Sequence, residues 1–120
     1  MGIMAIILSL LTGCGQFGLT PEVDVTVQEA QRLWENKEAV LIDVRTPAEY
    51  RGGHIPGVVN IPLDELEKRM GEVPKDKKVV LICRTGSRSG QGTRMLRNKG
   101  FANVFNSTGG MSTWKGPVTK

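Results

Sequence analysis

One stretch of the chain, Cys83-Arg84-Thr85-Gly86-Ser87-Arg88-Ser89, gathers a thiol, two guanidinium groups and three hydroxyls directly after the apolar run Val79-Val80-Leu81-Ile82. The pattern reads as a buried strand that enters a turn and then a helix start, with the thiol at the bend. Successive backbone N–H groups after such a bend, here those of residues 84–88, converge on an anion. A helix amino terminus, together with Arg84 and Arg88, favours thiolate over thiol. Gly86 admits a tight loop or a positive φ that a side chain resists, and Ser87 and Ser89 supply a hydroxyl donor or a helix cap. This is the chemistry of an activated cysteine in an anion-binding cradle. The competing readings are an inert core cysteine at 83, a solvent-facing or salt-bridged Arg88, and an Arg84 that points outward and binds nothing.

The flanking elements must place that loop. Val23 and Val25 alternate with Asp24 as a short strand, and Thr26 with Glu29 reads as a capping box for a helix carrying Val27, Ala30, Leu33 and Trp34. The run 39–42 ending in Asp43 fits an interior parallel strand. Thr46 and Pro47 open a short helix to about Arg51. Residues 58–61 form a further strand, and Leu63, Leu66 and Met70 face one side of a helix that Gly71 ends. After the cysteine loop a helix runs to about Asn98 with Met95 and Leu96 inward, residues 102–105 make the last strand, and a short helix holds Met111 and Trp114. Strands alternating with helices imply crossover connections and a small open α/β domain with helices on both faces of a mostly parallel sheet. Ligands of such sheets lie beyond the carboxyl ends of the strands. Cys83 and Asp43 both occupy such ends.

The 120 residues suffice for one domain, and the composition, 39% hydrophobic and 23% charged, is that of a folded protein. A net charge of +4 is too small and too dispersed to argue for nucleic acid. One histidine and two distant cysteines assemble no ordinary zinc site. Residues 2–12 carry no charge, and the apolar run within them is too short for a transmembrane helix, which needs roughly 20 residues. The segment suits a secretory signal, and Leu11-Thr12-Gly13-Cys14 resembles the lipobox of bacterial lipoproteins. That reading implies a signal at 1–13, lipidated Cys14, a tether over 14–22, a domain over 23–117, a tail at 118–120, and export to the periplasmic face with membrane contact through the lipid alone. The other reading makes residues 3–11 a buried helix or strand of a cytoplasmic protein. A disulfide between Cys14 and Cys83 is allowed by arithmetic but would silence the thiol.

The residues then resemble the rhodanese-like single-domain sulfurtransferases. Three blocks carry the resemblance: Leu41-Ile42-Asp43-Val44-Arg45-Thr46-Pro47-Ala48-Glu49-Tyr50 with Gly53-His54-Ile55-Pro56-Gly57 and Asn60-Ile61-Pro62; the cysteine loop; and residues 106–110 with Trp114. The resemblance implies a sheet of about five mostly parallel strands and a Cys83 that alternates between thiolate and persulfide. It implies a small anionic donor such as thiosulfate, a thiol or protein acceptor (cyanide in an assay), and no metal or organic cofactor. On this reading Arg84 or Arg88 meets a sulfonate oxygen with its donor fork. The loop from Cys83 to Arg88 is one residue shorter than that of cysteine-dependent phosphatases, too tight for a phosphate ester, and arsenate reduction by a related loop is disfavoured alongside. A thioredoxin-like role lacks a nearby resolving cysteine.

The supporting residues follow. Asp43 ties neighbouring loops together rather than acting as an acid, Arg45 and Glu49 pair across the start of the short helix, and Ser89 supports the loop. His54 sits in a turn and is a weaker candidate base, while Trp34 and Trp114 pack. The sequence reads as a sulfurtransferase working through Cys83, with a sulfur-carrier or partner-docking domain of slow turnover as the rival, and a non-catalytic scaffold as the third reading.

Overall fold

The computed structural model describes residues 23–120. The signal, the tether and Cys14 lie outside the described residues. In chain order the elements are β1 (Asp24–Thr26), α1 (Val27–Glu35), β2 (Ala39–Asp43), α2 (Pro47–Arg51), β3 (Val59–Asn60), α3 (Leu63–Leu66), a 3-10 turn (Met70–Glu72), β4 (Lys78–Ile82), α4 (Ser87–Asn98), β5 (Val104–Thr108) and α5 (Gly110–Thr113). The described strands form one five-stranded sheet in the order β1-β5-β4-β2-β3, every pairing parallel. The central strand β4 carries the candidate thiol just beyond its carboxyl end.

Strand alternation builds two cores. Val79 and Leu81 of β4 point to one face, where they meet Leu66 and Leu96 of α3 and α4. Val80 and Ile82 point to the other, with Val27, Ala30 and Leu33 of α1. The same alternation places Cys83, 1% exposed, on the α3 and α4 face. Helix α4 comes close to α3 and the sheet because Gly92 has no side chain: a Cβ there would lie 2.8 Å from Leu66 Cδ2 and 3.0 Å from Leu81 Cδ1. Trp34 and Trp114 pack edge to face at 5.7 Å and dock α5 on α1.

Several local expectations shift. The helix expected across Leu63, Leu66 and Met70 stops at Leu66, and Gly71 sits inside the 3-10 turn rather than ending a helix. The last strand begins at Val104 and runs to Thr108, because it is the whole stretch that pairs with β4 and β1. The capping box at Thr26 is half formed: Thr26 accepts from the Glu29 N–H, but the Glu29 carboxylate turns to Arg32. Residues 118–120, expected as a tail, include Thr119, which exchanges two 2.8 Å backbone hydrogen bonds with His54.

Candidate active site

The site is built by a strand that stops and a helix that starts. β4 delivers Cys83 to the carboxyl edge of the sheet, and Gly86 turns the chain at φ 111° into α4. A Cβ at Gly86 would sit 3.3 Å from the Ser107 carbonyl oxygen and 3.3 Å from Thr108 Cα, so both the dihedral and the space require glycine. The turn folds back on the sulfur. The Gly86 N–H donates to Cys83 Sγ at 3.0 Å, the Ser89 N–H donates at 3.4 Å, and Ser89 Oγ lies 3.4 Å away. Burial works to raise the thiol pKa, but the Ser89 hydroxyl and the N–H groups of Ser89, Gly86 and Thr85 outweigh it and hold Cys83 below the ordinary thiol value. Donors that stabilise a thiolate are what a sulfur nucleophile needs.

The loop is clamped from behind by the last segment of the fold. Gly109 N–H donates to the Thr85 carbonyl at 3.1 Å, Met111 N–H to that of Cys83 at 2.8 Å, and Ser112 N–H to that of Arg84 at 2.9 Å. Gly110, at φ 54°, allows this approach; a Cβ there would overlap the carbonyl oxygens of Cys83 and Arg84. In the sequence, residues 106–110 belong to the third block of the resemblance and carry no role at the site. The Gly109-Gly110 pair was the available signal.

Two ion pairs frame the loop, and neither is the Arg45–Glu49 pair the sequence suggested. Buried Arg45 folds back on buried Asp43, its Nη2 2.8 Å from Oδ2 and its own N–H 3.0 Å from Oδ1, and it also donates to the Gly53 carbonyl at 2.7 Å. Asn60 Nδ2 donates to the carbonyls of Asp43 and Arg45. Asp43 thus links the β2 end to two loops. Glu49 completes a reciprocal cap with Thr46 and takes both Nη atoms of Arg88, at 2.7 and 3.0 Å. A buried guanidinium needs a buried carboxylate, which Asp43 supplies and the only partly buried Glu49 does not. Arg88 holds Glu49 down to about pKa 2, with the Thr46 bonds assisting.

Of the candidate anion binders, Thr85 and Gly86 surround the sulfur, together with the supporting Ser89, through the donors named above. Ser87 opens α4 and is exposed. Arg88 takes the salt-bridged alternative, its Nη1 and Nη2 both donating to Glu49. Arg84 is exposed and has no side-chain hydrogen bond or ion pair among the described residues. A cavity of about 300 Å³ lies beside Arg88, lined also by Val44, Thr46, Pro62, Leu63 and Asp64. A larger cavity, about 680 Å³, touches Ala39, Val40 and Lys77 at the amino ends of the strands and so lies away from the chemistry. His54 is committed elsewhere, stacking on Tyr50 at 3.7 Å with Nδ1 2.8 Å from the Tyr50 carbonyl. Cys83 is a free cysteine, and the described residues contain no cluster able to hold a metal ion.

Comparison with known proteins bears on this geometry. Residues 26–117 match the rhodanese-like domain. The chain is 41% identical over 85 residues to a sulfurtransferase of Allochromatium vinosum, covering 71% of this chain and 79% of that protein. A rhodanese-related protein of Thermoplasma volcanium is similar in structure, with a TM-score of 0.71 and 32% identity over 80% of this chain and 96% of that one. A human single-domain sulfurtransferase gives a TM-score of 0.68 at 28% identity, covering 77% and 94%.

Proposed function

The chain belongs to the rhodanese-like family, and from that premise we propose that it transfers sulfane sulfur through a persulfide on Cys83. The observation that carries the reading is the Cys83 sulfur held by the Gly86 and Ser89 N–H groups at the end of the central strand. In the first half-reaction the thiolate attacks the outer sulfur of a donor such as thiosulfate. The donor S–S bond breaks with its electron pair on sulfite, which leaves, and Cys83 keeps one added sulfur. In the second, an acceptor thiolate, or cyanide in an assay, attacks that sulfur and restores the Cys83 thiolate. Arg84, exposed and unpaired among the described residues, is the guanidinium available to a sulfonate. Arg88 shapes the loop through Glu49.

The test is thiocyanate formation from thiosulfate and cyanide by the wild type and Cys83→Ser, with intact mass recorded. Turnover lost in the variant, together with a wild-type species one sulfur atom heavier, supports the enzyme. Absence of both signals would overturn the reading. A second reading, a sulfur carrier loaded by a partner protein, is favoured by one observation: Cys83 is 1% exposed while Arg88 is already engaged. Sulfur loading without turnover selects it.

The amino-terminal segment adds a proposal of location. Residues 1–13 direct export and Cys14 carries a lipid that anchors the domain at the cell envelope, an inference resting on the uncharged apolar run and Leu11-Thr12-Gly13-Cys14. No helix among the described residues is long and apolar enough to cross a membrane. Amino-terminal sequencing of protein from the native membrane fraction decides the matter, an intact Met1 or an unmodified Cys14 counting against the anchor.

A further inference from the structure

The hydrogen bonding of Cys83 continues past Ser89. Ser89 is fully buried, and its Oγ lies 3.4 Å from Cys83 Sγ and 2.6 Å from Asn106 Oδ1. Asn106, 6% exposed, donates from Nδ2 to Asp24 Oδ1 at 3.0 Å. An ionised carboxylate only accepts hydrogen bonds, so Asp24 must face the amide NH₂, and that turns Oδ1 toward Ser89. Oδ1 also only accepts, and it takes the single proton of the Ser89 hydroxyl. A thiolate at Cys83 would take the same proton. Two acceptors compete for one donor.

We propose that Asn106, oriented by Asp24, is a positioning residue that withholds the Ser89 proton from Cys83 and so sets how readily the thiol ionises. The proposal rests on the reading of Cys83 as the sulfur-carrying nucleophile and deepens it. When Cys83 is ionised, the Ser89 hydroxyl turns to Sγ, and buried Asn106 Oδ1 loses its donor at a cost. When Sγ carries an outer sulfur, the charge lies on that outer atom and the proton returns to Asn106. The relay therefore disfavours the empty thiolate relative to the loaded form. It requires only rotation of one O–H bond, with no proton or electron exchanged.

The architecture supports the arrangement. Asp24 and Asn106 are register partners across β1 and β5, which brings residues from opposite ends of the domain to one hydrogen bond. Both line a cavity of about 470 Å³ with Gly86 and Ser87, and Arg94 and Arg97 of α4 are the charged groups facing Asp24 there. The charged groups disposed around the thiol are Arg84 in its own loop, Arg88 of α4 paired with Glu49 of α2, and Asp43 of β2 paired with Arg45. None of them is altered by substitution at 24, 89 or 106.

The experiment is the rate of iodoacetamide alkylation at Cys83 against pH, read by mass on the full chain. Asn106→Leu, with the same count and branching of side-chain heavy atoms and lacking an acceptor, is expected to lower the apparent thiol pKa by about half a unit to one unit. Asp24→Asn is expected to lower it as well, because the Asn106 amide can then turn and donate to Ser89. Asp24→Asn also removes a negative charge, so the two routes are separated by combination. In the Asn106→Leu background it should add nothing. Should Asn106→Leu not fold, Ser89→Ala serves as the background with the same expectation. An equal drop in both backgrounds, or an Asp24→Asn thiol that is unchanged or raised, overturns the proposal. Alkylation needs no sulfur donor, so these shifts in a protein that transfers no sulfur would leave the relay standing and remove the sulfur-transfer reading; normal transfer without them would do the reverse.

Discussion

For a single residue such as Cys83, opposed effects set the charge state. Burial disfavours the charged thiolate, while one hydroxyl and the N–H groups of Ser89, Gly86 and Thr85 favour it, and the donors prevail. Ser89 contributes two of these donors, only one of which a substitution can remove. Ser89→Ala keeps the backbone N–H and deletes the hydroxyl. It is expected to raise the Cys83 pKa by about one unit and to slow alkylation at neutral pH by up to about tenfold, measured by mass-resolved iodoacetamide kinetics. An unchanged profile would mean the backbone donors alone hold the thiolate.

At the scale of elements, the cradle is a β4-to-α4 turn held in shape by α5. The three backbone bonds from Gly109, Met111 and Ser112 to the carbonyls of Thr85, Cys83 and Arg84 fix the loop without using any of its side chains. Gly110→Ala breaks this clamp twice over, since φ 54° strains a side chain and the new Cβ overlaps two carbonyl oxygens. We expect a loss of at least about 2 kcal/mol in urea unfolding and a Cys83 pKa shifted toward that of an ordinary thiol. A variant with wild-type stability and thiol reactivity would show that α5 does not hold the loop. Helix α2 acts on the loop from the other side, through one carboxylate that caps its own helix and binds Arg88.

At the scale of the whole molecule, that carboxylate connects pH to stability. Glu49 falls from an ordinary 4.5 to about 2 in the folded protein, chiefly through Arg88. A depressed carboxylate stabilises the fold fully above its unfolded pKa, and the contribution is lost as pH falls from about 4.5 toward 2. Glu49→Gln is therefore expected to be less stable than wild type at pH 7, with the difference closing across that acid window. Chemical unfolding at a series of pH values checks this; a gap that persists to pH 2 would assign the effect to lost packing instead. The side chain is about a quarter exposed, so salt should weaken the contribution.

Features that depend on near neighbours are legible in the chain alone. The alternation through 79–82, the Thr46-Pro47 helix start, and a cysteine followed by glycine and serine at a strand end all act over a few residues, where periodicity and dihedral preference decide the outcome. Only the tertiary structure decided who pairs with whom. Helical spacing suggested Arg45 with Glu49, yet burial gave Arg45 to Asp43 and left Glu49 for Arg88, 39 residues away. Asp24 reaches Asn106 across 82 residues because β1 pairs with β5 at the sheet edge. Strand order and register arise from burying two faces of one sheet at once, and that condition is written nowhere in a local stretch of chain.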